Sequence, residues 1–277
     1  MAAARIHHLN CASMHPQAGF TLEHPSRSSS YRGLVCHCLL IETEGGLVLV
    51  DTGLGLADVS GGPARLGRMF WHVVRPALAE HETARRQIEH LGFDADDVRH
   101  IVLTHLDVDH AGGLGDFPRA RVHVLAAEHE AAQTRRHFKE RDRYRPAQWA
   151  HAPDWALYAP EGERWQGFES VRALVDLPPE ILLIPLAGHT RGHAAIAVAQ
   201  GDGWLLHAGD AYFHRDQMST RPCCPVGLRL FQAAMALDNS QRRANVVRLQ
   251  ELALGDNGVQ VFCSHDAVEL ARAQAQQ

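Results

Sequence analysis

The stretch from Thr104 to Gly113, THLDVDHAGG, constrains this chain more than any other. It follows the apolar run Ile101, Val102, Leu103, which reads as a buried strand. Two imidazoles and two carboxylates therefore crowd one strand end. Core packing has no use for four such groups there, whereas a metal site does. Alternation along an extended chain would point His105, Asp107 and Asp109 the same way. Imidazole nitrogen and carboxylate oxygen suit zinc, iron or manganese.

Three more polar clusters follow apolar strand-like runs. His189, with His193 close behind, follows Ile181 to Leu186. Asp210 follows Trp204 to His207, and His265 follows Val259 to Cys263. Ligands gathered at strand ends from distant parts of a chain make a rigid metal site. Further strands are expected at Leu34 to Ile41, Leu47 to Val50, Arg121 to Leu125 and His193 to Ala199. Helices are expected over Pro76 to Leu91, Ala126 to about Lys139 and Ser240 to Leu254, with a short one after His265. The glycine-rich segment 54–74 reads as a long loop. Residues 140–180 hold three of the five tryptophans and read as an aromatic insertion or cap. Two halves look alike, each a hairpin ending in a glycine-and-aspartate turn (Asp51, Gly53; Gly209, Asp210).

The order and spacing of these clusters resemble the metallo-β-lactamase-fold hydrolases, whose hallmark is HxHxDH followed by separate His, Asp and His ligands. The resemblance runs from the Asp51, Thr52, Gly53 turn to His265. It implies a four-layer αββα sandwich of the α/β class, with two mixed sheets flanked by helices, as a single domain over 1–277. It also implies two divalent ions, zinc first. One would be held by His105, Asp107 and His189, the other by Asp109, His110 and His265, with Asp210 between them. Asp51, Thr104 and His193 would orient these ligands.

Asp107 departs from the family, which usually has histidine there. A carboxylate is shorter, harder and charged, so iron or manganese become alternatives. The expected activity is hydrolysis by a metal-bridging hydroxide that opens a lactone or cleaves a related ester, in the manner of the acyl-homoserine lactonase branch. Asp109 would orient the nucleophile and pass on its proton. Tyr212 would donate to the developing oxyanion. In quorum-quenching lactonases a tyrosine lies three residues after the bridging Asp, and here that place is Phe213. Three other readings stay open: a phosphotriester or aryl-ester hydrolase on the same site, a di-iron oxidoreductase, and a ligand-sensing protein without catalysis.

Composition narrows the partners. The net charge of -5 argues against nucleic acid or an anionic membrane. No apolar run approaches a membrane span. Six cysteines without a CxxC pair, and a polar start from Met1 to Leu9, fit a cytoplasmic protein. The expected partner is a small molecule with an apolar portion, taken between the 54–74 loop and the aromatic segment. A homodimer through that loop is a further expectation.

Overall fold

Two-residue alternation along the strands decides the layering. Leu39, Ile41, Val48 and Val50 point to one side of their sheet, and Cys38, Leu40, Leu47 and Leu49 to the other. Ile181, Leu183, Ile196 and Val198 meet the first group, while Leu182, Ile184, Ala195 and Ala197 face outward again. Both faces of both sheets are thus apolar, so each sheet must be covered twice. The result is a sheet-on-sheet core with helices outside.

The structure is a computed structural model and describes residues 5–16, 33–169 and 174–277. The first sheet runs in chain order through β1 (Ile6–Met14), β2 (Leu34–Thr43), β3 (Gly46–Val50), β4 (Val98–Val102), β5 (Arg121–Leu125) and β6 (Asp154–Tyr158). Its first three strands are antiparallel, and β4 to β6 join in parallel. A small hairpin, β7 (Arg164–Trp165) and β8 (Phe168–Glu169), precedes the second sheet. That sheet holds β9 (Ile181–Pro185), β10 (Ala194–Gln200), β11 (Gly203–His207) and β12 (Val259–Phe262), in the order β12-β11-β10-β9. Both sheets are mixed, and each contains a hairpin, β2–β3 or β10–β11, followed by a parallel strand. The four-layer αββα class is therefore the one observed.

The helices differ more from expectation. Segment 54–74 forms three short helices: α1 (Leu56–Gly61), α2 (Pro63–Leu66) and α3 (Arg68–Val74). Gly62 at φ 51° and Gly67 at φ 89° make the breaks, so no helical period is long enough to count. The helix expected over 76–91 shrinks to α4 (Ala84–His90), because Leu78 takes φ 52°. The ligand motif contains a single helical turn, α5 (Val108–Ala111), so simple alternation ends at Asp107. The helix expected from 126 to about 139 breaks at Arg135, with φ 43°, into α6 (Ala126–Thr134) and α7 (Phe138–Arg143). The last three are α8 (Val226–Met235), α9 (Asn239–Leu254) and α10 (Ala267–Gln274). Among the described residues no helix is long and apolar enough to cross a membrane.

Segment 140–180 is not a separate cap where it is described. Tyr144 and Trp149 pack into the core outside the first sheet, and β6 extends that sheet beside β5. Residues 170–173 of it, and 1–4 of the polar start, lie outside the described residues.

Candidate metal centre

Every expected ligand lies beyond a strand end of one of the two sheets. Asp51 ends β3, and His105 to His110 follow β4. His189 follows β9, Asp210 follows β11 and His265 follows β12. Asp51 adopts φ 52°, a left-handed conformation costing ~1–2 kcal/mol for a residue with a Cβ. Its carboxylate compensates by accepting from the Thr104 amide (2.8 Å), the Thr104 hydroxyl (2.7 Å) and His110 Nδ1 (2.8 Å). That geometry turns His110 Nε2 toward the centre. His265 is fixed in the same way, its Nδ1 donating to the Val35 carbonyl at 2.7 Å. His193 donates through Nδ1 to the Leu186 carbonyl, and its Nε2 accepts from the Asp210 amide at 2.9 Å. It positions the Asp210 backbone. Gly209 makes this approach feasible, since a Cβ there would stand 2.6 Å from His193 Nε2.

Asp210 divides its two oxygens between two pairs of histidines. Oδ2 lies 3.3 Å from His189 Nε2 and 3.8 Å from His105 Nε2. Oδ1 lies 3.0 Å from His265 Nε2 and 3.3 Å from His110 Nε2. Asp107 Oδ2 joins the first pair, 3.1 Å from His189 Nε2 and 3.4 Å from His105 Nε2. Asp109 Oδ2 stands by the second, 3.7 Å from His265 Nε2 and 4.0 Å from His110 Nε2. All seven residues are buried. Burial pushes the Asp210 carboxyl up, but His265, His110 and His189 outweigh it and hold it well below the ordinary carboxylate range.

Five buried atoms of these residues make no hydrogen bond within the protein: His105 Nε2, His110 Nε2, His189 Nδ1, Asp107 Oδ1 and Asp210 Oδ1. Stranding so many polar atoms in one place costs ~1–3 kcal/mol each unless something else satisfies them. The donors are nitrogen and oxygen, His105 Nε2 and His110 Nε2 both turn on the Asp210 carboxylate, and the clusters His105, Asp107, His189, Asp210 and His110, Asp210, His265 each bring one donor atom per residue within 4.8 Å of the others. The residues fit divalent cations.

Three residues close to the centre escaped the sequence reading. Arg143, the last residue of α7, is buried. Its Nη1 lies 3.3 Å from Asp107 Oδ2 and donates to the His189 carbonyl, and its Nη2 donates to the Met235 carbonyl. Burial pushes the Asp107 carboxyl up, yet Arg143, His105 and His189 hold it well below its ordinary range. Glu128 accepts from the Leu106 amide, the Gly192 amide and the Tyr144 hydroxyl, each at 3.0 Å, and so braces both ligand-bearing loops. Cys36 of β2 also places its sulfur within 4.8 Å of ligand-type atoms of Asp109 and His265. Nothing local marks these three. One arginine among many becomes distinctive only when the fold buries it.

Tyr212 does not face the centre. Its ring packs in the core outside the second sheet, and its hydroxyl donates to Glu269 at 3.1 Å. Its neighbour Phe213 takes the other direction and meets the His265 ring at 4.7 Å. The oxyanion role expected of Tyr212 is therefore withdrawn.

The centre forms the floor of a cavity of about 680 Å³. Asp107, Asp109, His189, Asp210 and His265 reach it from below, and Arg143 from the side. Its walls are Met69, Phe70 and Val73 from α3, Phe138 from α7, Phe213, and Leu230 and Phe231 from α8. The tryptophans of 140–180 take no part. Segment 54–74 contributes as expected, though through helix faces.

The chain belongs to the metallo-β-lactamase superfamily, whose family model matches residues 31–265. It is 44% identical to a probable metallo-hydrolase of Mycobacterium tuberculosis, over 98% of this chain and 84% of that protein. It is 27% identical to an N-acyl homoserine lactonase of a Bacillus species, over 83% of this chain and 80% of the relative. Among solved structures it resembles an N-acyl homoserine lactone hydrolase with N-hexanoyl-L-homoserine bound at its catalytic metal centre. That match has a TM-score of 0.72 and 21% identity, covering 98% of this chain and 97% of the other. It also resembles the dizinc quorum-quenching lactonase AidC, with a TM-score of 0.61 and 18% identity, over 95% and 87% of the two chains.

Proposed function

We propose that this protein is a metal-dependent hydrolase that opens lactones, or cleaves related carboxylic esters, carrying an apolar arm. The observation that carries this reading is the division of Asp210 between two buried histidine pairs at the floor of an apolar cavity. His105, Asp107 and His189 would hold one ion, and Asp109, His110 and His265 the other, with Asp210 shared. Zinc is the proposed metal, in keeping with the dizinc structural neighbour. When bound, such a pair supplies a hydroxide nucleophile at neutral pH and polarises the carbonyl under attack.

The chain's own residues do the rest. Asp51 fixes the tautomer and direction of His110, and the Val35 carbonyl does so for His265. His193 holds the Asp210 backbone in register. Asp109, at the cavity floor, orients the nucleophile and accepts its proton for transfer to the departing alkoxide. The walls from α3, α7 and α8 exclude water and take up the apolar arm. Phe213 occupies the place that holds a tyrosine in the quorum-quenching lactonases, so no phenol hydroxyl serves the oxyanion from there.

The test is metal analysis of freshly purified protein, followed by a panel of lactones of graded acyl length, aryl esters and phosphotriesters, with and without chelator. About two divalent ions per chain and chelator-sensitive lactone opening, improving with acyl length, are expected. Trace metal would overturn the metallohydrolase reading. Bound metal with phosphotriester turnover alone would overturn the choice of substrate.

A further inference from the structure

The unusual carboxylate and the unexpected arginine have a common explanation. In a relative with histidine at 107, the centre would have two carboxylates, Asp109 and Asp210, and a neutral imidazole. Here three carboxylates and one buried guanidinium leave the same two net negative charges. Arg143 stands 3.3 Å from Asp107 Oδ2, and both side chains are almost wholly buried, at 3% and 9% exposure. A guanidinium does not give up its proton in proteins, so this positive charge is permanent. A buried permanent cation beside a site for divalent ions is costly unless an anion pairs with it. Asp107 is placed as that anion, with Oδ2 facing Arg143, His105 and His189 at once.

We propose that Asp107 and Arg143 act as one charge-compensated unit, a carboxylate ligand with its own counter-cation, in place of a neutral histidine. The proposal rests on the metal-centre reading above. Arg143 is a positioning residue in it. It holds Asp107 Oδ2 toward the first histidine pair, ties down the His189 carbonyl and anchors the Met235 carbonyl at the end of α8. Swapping either member alone leaves an uncompensated charge. Swapping both restores the balance.

The consequence runs against the simplest view of Asp107 as a weak substitute for histidine, under which Asp107→His should tighten metal binding. The charge-compensated unit predicts the reverse, because a neutral ligand would leave Arg143 facing the metal alone. Zinc stoichiometry and affinity, measured by competition with a chromophoric chelator, separate the two in wild type, Asp107→His, Arg143→Met, Arg143→Lys and the double variant Asp107→His/Arg143→Met. Each neutralising single variant is expected to bind one of the two zinc ions about tenfold or more weakly, a size typical of lost ligand support. The double variant is expected to return to within about threefold of wild type, and Arg143→Lys to stay closest to it.

Tighter or unchanged binding in Asp107→His overturns the proposal. So does a double variant whose loss is the sum of the two single losses, the pattern a merely structural arginine would give. If Arg143→Met fails to fold, Asp107→His and Arg143→Lys still decide, since only the compensated unit requires the first to lose affinity and the second to keep it. Wild-type protein without zinc would defeat the metal-centre reading itself. Two zinc ions with an additive cycle would defeat this inference alone.

Discussion

Two groups of histidines are buried to comparable depth and put to opposite use. His8, His37 and His207 sit at one end of the inter-sheet space, around Phe262. His8 Nδ1 and His37 Nε2 pair at 2.7 Å, and His207 donates to the His37 carbonyl at 2.6 Å. His37 Nδ1 also lacks a partner, but the charges acting on that ring are the imidazoles His207 and His8. His105, His110, His189 and His265 instead turn their Nε2 atoms on three carboxylates. Burial with mutual pairing yields a neutral, structural cluster. Burial with converging carboxylates yields a centre for cations. With 20 histidines in the chain, their number says little. What their nitrogens face decides the role.

The contrast breaks first at His110. His110→Ala should lose one metal ion and lower lactone hydrolysis by more than the ~10–100-fold that follows loss of a supporting group. Metal content and turnover check it, and full activity would dissolve the distinction between the clusters. A smaller effect is expected from Asp51→Asn, because asparagine tolerates the left-handed backbone but no longer draws the His110 Nδ1 proton. There the loss should stay at ~10–100-fold, with the fold intact by circular dichroism.

On metal content and turnover the smallest effect, none, lies in the other cluster, which acts on stability and only in acid. Burial, then His207 and His7, push His8 down to about 4. The unfolded chain takes up the proton near pH 6.5, so His8 favours the fold fully above that pH. Its contribution is lost progressively as pH falls from 6.5 toward 4, by about 3 kcal/mol at most. His8→Gln should flatten the acid limb of a stability-versus-pH curve while leaving metal content at the wild-type level. A loss of metal in His8→Gln would show that the two groups are not independent.

The parts of the molecule legible from sequence are those with long or repeated signals. Apolar runs such as Ile181 to Leu186 announce strands, and the ligands stand at their ends in a recognisable order. Asp51 and Thr104 could be placed because they adjoin such runs. The helices α1 to α3 hold six, four and seven residues and are parted by glycines, too short for a period to show. β1 hid behind its polar residues, since His7, His8, Asn10 and Ser13 are covered only once β2, α4 and α10 pack on it. Tyr212 and Phe213 are adjacent, and which one faces the cavity depends on a turn that sequence spacing does not specify. Arg143 is one of several arginines near the end of α7, and its partner lies 36 positions away.

The cavity joins a floor held by hydrogen bonds at strand ends to walls drawn from α3, α7 and α8. Wall residues such as Met69, Phe138 and Leu230 touch neither Asp51 nor His193, and their side chains are largely exposed. Substitutions at these exposed positions can accumulate without disturbing the buried histidines and carboxylates of the floor. A lineage carrying this architecture can therefore change what the cavity admits while keeping its floor, and a directed-evolution library confined to such exposed wall positions, sparing Arg143 and the end of α8, would reshape the cavity at little risk to the buried carboxylates and histidines.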